Sequence, residues 1–91
     1  VTKKKAVSIV RKVLKKRFDI LVTDKVLAES LFPGDYNGWT SGALATVTCE
    51  SGVPSPMYDA MVLWDGVYED LASHGLFAEP VNAAVVGIYE A

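Results

Sequence analysis

All nine Lys and Arg residues of this 91-residue chain, from Lys3 to Lys25, lie in its first 25 positions. Those positions also hold Asp19 and Asp24, so nine cations against two carboxylates leave +7, whereas residues 26–91 hold nine carboxylates and no Lys or Arg, leaving −9. The formal net charge of −2 hides this division. The spacing of apolar residues within the basic segment turns it into a constraint on folding. At about 100° per residue, Ala6, Val7, Val10, Val13 and Leu14 gather on one face, and Lys4, Lys5, Arg11, Lys12, Lys15 and Lys16 fill the opposite arc. The segment reads as an amphipathic helix over about residues 3–17. Arg17 falls among the apolar positions and marks its end, while three lysines in the first turn oppose the helix dipole and favour fraying there.

A chain of this length makes one domain, residues 1–91, with a basic helix followed by an acidic body over 26–91. A hydrophobic fraction of 51% at such modest net charge excludes the disordered class. No apolar run approaches the ~20 residues of a membrane span, and no signal-peptide core follows the opening lysines. The single Cys49 has no partner for an internal disulfide, whereas small secreted domains usually carry several. These features point to a cytoplasmic protein with no membrane partner. Val1 ahead of Thr2 fits either a non-AUG start, as in a bacterial or phage gene, or an expression remnant.

Within the body, Phe18–Val22 reads as a connector, and Thr23 or Asp24 caps a short helix carrying Val26, Leu27 and Leu31 that Pro33-Gly34 stops. Residues 33–42 hold three glycines with Asp, Asn and Ser, the composition of a loop, and include Tyr36 and Trp39. Residues 43–50, with Thr46, Val47 and Thr48, read as a strand. Ser55-Pro56 gives an N-cap and first-turn proline, and Gly75 gives a stop, predicting a helix over 56–74. Its apolar stripe is Met57, Ala60, Met61, Trp64, Val67, Tyr68 and Leu71, with Asp59, Asp65, Glu69 and Asp70 on an acidic, solvated face. Gly66 costs such a helix about 1 kcal/mol relative to alanine, which suggests a close contact there. Leu76–Pro80 reads as a loop and residues 81–89 as a strand covered on both sides.

The predicted fold class is α+β in the order α-α-β-α-β, with strands 43–50 and 81–89 either parallel through a right-handed crossover or antiparallel. Two strands alone are marginal, so the short sheet takes either a third strand, from residues 18–22 or 36–42, or an extension from a second subunit.

Chemistry is hard to place. Cys49 and His74 are the only residues of their types, and a strand cysteine with a helix-terminal histidine reads as an inert buried thiol and a capping imidazole rather than a nucleophilic dyad. One Cys and one His give no metal pattern, Asp35 and Asn37 fit an Asx turn better than a calcium loop, and Gly34, Gly38 and Gly42 lack the ending of a phosphate loop. No catalytic, metal or cofactor-binding residue is assigned.

Three surfaces remain. The basic face of Lys4, Lys5, Arg11, Lys12, Lys15 and Lys16 suits phosphates, Tyr36 and Trp39 suit a protein interface, and the acidic face of Asp59, Asp65, Glu69 and Asp70 suits a basic partner. The leading expectation is a non-enzymatic protein-interaction or accessory module, homo-oligomeric through sheet edges or complementary charged halves, such as a bacterial or phage modulator of a larger protein. The alternatives are a nucleic-acid binder using the basic helix and a small enzyme whose site is assembled between subunits.

Overall fold

Burial of an apolar stripe by each helix and of one apolar sheet face produces a two-layer α+β domain. The computed structural model describes residues 1–58 and 61–91. Helix α1 spans Lys3–Phe18 and α2 spans Asp24–Ser30, separated by a 3-10 turn at Asp19–Leu21. Strands β1 (Leu31–Pro33) and β2 (Ala45–Thr48) precede α3 (Met61–Ala72), which leads to β3 (Leu76–Pro80) and β4 (Val85–Glu90). The four strands form one antiparallel sheet in the order β1-β2-β4-β3, packed against the three helices.

Local chemistry explains the helix starts. The Thr2 hydroxyl accepts the Lys5 N–H at 3.1 Å and the Thr2 carbonyl accepts the Ala6 N–H at 2.9 Å, so α1 begins at Lys3 despite its three lysines. Thr23 caps α2 in the same way, its hydroxyl accepting the Val26 N–H at 3.2 Å. Helix α2 ends at Ser30, one residue short of the expected Leu31. Pro33 disfavours the helical conformation at Phe32, and Leu31 instead enters β1 opposite Val47.

Register separates the two sheet faces. Leu31, Val47 and Val86 stand opposite one another, as do Ala45, Ile88 and Ala78, and these residues join Leu76 in the core beneath the helices. From α1 come Ala6, Ile9, Val10, Val13, Leu14 and Phe18, and from α3 come Trp64, Val67 and Leu71. Trp64 is wholly buried, meets Phe18 edge-on at 5.8 Å, and donates its indole N–H to the Pro54 carbonyl at 2.7 Å.

Several expectations for the second half change. The described helix runs over Met61–Ala72, not 56–74: residues 56–58 form a separate turn in which the Ser55 hydroxyl accepts the Met57 N–H at 3.2 Å. Met57 and Met61, expected in the apolar stripe, are exposed, while Asp59 and Ala60 lie outside the described residues. Leu76–Pro80 is a strand rather than a loop. Its alternation sends Leu76 inward and Phe77 and Glu79 outward, although it contains no β-branched residue. Residues 81–84 turn back through an Asn82 side chain that accepts the Ala84 N–H, and β4 then inserts beside β2. The central strands are therefore antiparallel rather than joined by a parallel crossover. The additional strands come from 31–33 and 76–80, neither of the segments expected to supply one. The last strand begins at Val85 rather than at the expected residue 81 and runs to Glu90, with Val85–Ile88 buried and Tyr89 and Glu90 less so.

Two buried hydroxyls give opposite expectations. The Thr46 hydroxyl donates to the Gly34 carbonyl at 2.8 Å and lies 2.6 Å from the Thr40 hydroxyl, whereas the buried Ser30 hydroxyl has no partner among the described residues. Thr46→Val is expected to lower unfolding free energy by about 1–3 kcal/mol, and Ser30→Ala to leave it unchanged or raise it by about 1 kcal/mol, in urea titrations followed by Trp fluorescence.

Candidate binding surfaces

A bidentate ion pair joins the ends of the two long helices. Arg17, at the end of α1, extends its guanidinium across Gly66 of α3, where an added Cβ would stand 2.9 Å from it. It forks onto Asp70 with hydrogen bonds of 2.7 and 2.8 Å. The close contact anticipated at Gly66 is this passage of the arginine. Lys16 adds a longer contact to Asp70 at 3.8 Å, and Lys15 pairs with Asp24 at 2.8 Å. Asp70 thus turns toward α1 rather than standing on a solvated face with Asp65 and Glu69, both of which are exposed. The Arg17 hydrogen bonds, helped by the charges of Arg17, Lys16 and His74, hold the Asp70 carboxyl below the usual carboxylate range.

Of the basic-face residues, Lys4, Lys5, Lys12, Lys15 and Lys16 are exposed and Arg11 is half-buried. Among the described residues, Lys4, Lys5, Arg11 and Lys12 form no ion pair. Lys5, Lys12 and Lys16 line a cleft of about 290 Å³ between α1 and the C-terminal end of α3. His74 lies in its wall with Nδ1 3.0 Å from the Asp70 carbonyl, and the Ser73 hydroxyl donates to the same carbonyl at 2.7 Å. Both residues satisfy the end of α3, the capping role expected for His74.

Cys49 lies elsewhere, in an apolar groove with Leu21, Val53, Tyr58 and Leu63. Burial pushes its thiol up to about 12. His74 and Cys49 therefore line separate clefts. Among the described residues, no group of three or more His, Cys, Asp or Glu side chains could hold a metal ion, and no helix is long and apolar enough to cross a membrane.

The outer sheet face carries a feature that sequence reading only half captured. The loop after β1 folds onto it through Asp35, whose carboxylate accepts the Gly38 and Thr40 N–H groups at 3.0 Å each, the expected Asx geometry. Tyr36 thereby packs on Phe32 with ring centroids 5.2 Å apart, and Trp39 is left 57% exposed. Across the sheet, Tyr89 stacks on Phe77 at 5.4 Å, and Phe77 is itself 42% exposed. Gly87 makes room for the Tyr89 ring, which would stand 2.7 Å from a Cβ at that position. Burial, then the charges of Glu79 and Asp35, raise the Tyr89 hydroxyl above its ordinary value. Tyr36 and Trp39 were singled out in the sequence. Phe32, Phe77 and Tyr89 carry no such signal, because β1 and β3 lack a strand pattern of their own and β4 begins later than its composition suggests.

No family model matches the chain, nor does any curated protein or solved structure. Fold and surface chemistry define a small α+β domain with a basic N-terminal helix and acidic residues, without a catalytic constellation among the described residues.

Two expectations follow from ionisation. The lowered Asp70 contributes stability that is present above the ordinary aspartate value, about 3.9, and is lost as pH falls through its lower folded value. Urea midpoints measured from pH 6 to pH 2 are expected to fall less steeply in Asp70→Asn than in the unsubstituted protein. Alkylation of Cys49 by iodoacetamide at pH 8, followed by mass spectrometry, is expected to run at least roughly a hundredfold slower than for free cysteine, because so little thiolate is present.

Proposed function

We propose that the domain is a non-enzymatic protein-interaction module that docks an Arg- or Lys-bearing segment of a partner on the outer face of its sheet. The observation that carries this reading is the two aromatic pairs Phe32–Tyr36 and Phe77–Tyr89, with exposed Trp39 in the same loop as Tyr36 and with Asp35 and Glu79 acting on Tyr89. No Lys or Arg belongs to the strands or to the loop after β1. Aromatic faces attract guanidinium and ammonium groups by about 0.5–2 kcal/mol each, and nearby carboxylates add a matching field.

The sheet edges favour recognition by side chains over strand addition. Strand β1 has three residues and ends at Pro33, while β3 has five and ends at Pro80, features that discourage pairing with another chain. A small cytoplasmic modulator of a larger, basic target fits this reading. So does a second copy of the chain, whose helix α1 would offer the cations, making a homo-oligomer of complementary halves.

Selection from a random peptide display library tests the proposal. Enriched peptides are expected to carry Arg or Lys, and Phe77→Ala and Trp39→Ala are each expected to weaken their binding by about tenfold or more with the far-UV spectrum unchanged. Enrichment without basic residues, or binding retained in both variants, would overturn it.

A further inference from the structure

The cleft between α1 and α3 is chemically unlike the outer sheet face and lies on the opposite, helical layer. Its floor is apolar, from Ile9 and Val13, and its rim carries Lys5, Lys12 and Lys16 with the exposed Ser8. Positions 5, 12 and 16 recur near one helical azimuth, so the three ammonium groups form a row rather than a scattered surface charge. The one carboxylate in the lining, Asp70, is already held by the Arg17 fork. The carboxyl end of α3 contributes about half an elementary negative charge, which three lysines exceed. Ser73 and His74 direct their donors at the Asp70 carbonyl, leaving Lys5, Lys12 and the Ser8 hydroxyl to meet a ligand, with Lys16 beside them at 3.8 Å from the Asp70 carboxylate.

We propose that this cleft binds the phosphate backbone of a nucleic-acid strand through Lys5, Lys12 and Lys16. From Lys5 to Lys16 the helix rises by about 16 Å, a length matched by several phosphates in line and too long for a single phosphate group. Lys4, Arg11 and Lys15 on the same basic arc extend the positive field beyond the cleft. Contacts of this kind neutralise phosphates and release counterions, so binding is salt-dependent and tolerant of sequence.

Fluorescence anisotropy with a labelled duplex DNA and a labelled single-stranded RNA, at 50 and 200 mM salt, tests the site. The pair Lys5→Gln, Lys12→Gln is expected to weaken binding at least tenfold and to reduce the salt slope by about 0.7–0.9 per lost contact. The pair Lys3→Gln, Lys25→Gln removes equal charge outside the cleft and is expected to cost less than threefold. Equal losses in the two pairs would reduce the effect to diffuse charge and overturn the site, as would no binding of either probe at low salt. Calorimetry with tripolyphosphate completes the test: its binding without binding of either oligonucleotide would assign the cleft to a small polyphosphate and overturn the nucleic-acid backbone as ligand.

Discussion

One face of the four-stranded sheet is buried beneath two long helices that share an apolar core, and the Arg17–Asp70 fork ties those helices together at its edge. The guanidinium reaches its carboxylate because Gly66 carries no side chain, so a residue unfavourable to the helix is retained where the inter-helix contact needs it. Below the fork, Trp64 fills the space between Phe18 and the Pro54 carbonyl. Above it, α1 continues past the end of α3, which leaves Lys5 and Lys12 uncovered and opens the cleft.

Most of the fold class could be read from the sequence because helical periodicity and capping act over a few residues. Thr23, Asp35 and Gly75 all work locally, and the basic helix follows from its own pattern, although the Thr2 cap that starts it went unread and fraying was expected in its place. What escaped reading depends on distant partners. Leu31–Pro33 becomes a strand only because Val47 and its neighbours are there to pair with it, and Leu76–Pro80 only because β4 returns beside it. The same distance effect hid half of the aromatic face: Tyr36 and Trp39 announce themselves in a turn-rich loop, but Phe77 and Tyr89 meet solely through strand register. Asp70 was misplaced for a related reason, since the residue that turns it inward lies 53 positions away.

The charge division along the chain becomes a division in space. The cations lie mainly on the outer surface of the helical layer, while Asp35 and Glu79 edge the exposed side of the sheet. Folding cancels part of this opposition at Arg17–Asp70 and Lys15–Asp24, while exposed Glu29, Asp65 and Glu69 keep acidic charge on the helical layer beside the lysines.

Strand order has a consequence for the route by which the chain reaches this structure. Strand β4 is the last in sequence, yet it occupies an interior position between β2 and β3. Until residues 85–90 arrive, β2 is paired only with the three-residue β1, and β3 has no neighbour at all. Strands β3 and β4 pair as a local hairpin, whereas joining that hairpin to β2 brings together segments some 40 residues apart in sequence, from Thr48 to Val85 and from Ala45 to Ile88. Such non-local pairing slows folding relative to a helical chain of equal length. A fragment lacking β4 would retain amphipathic helices with no surface on which to bury them.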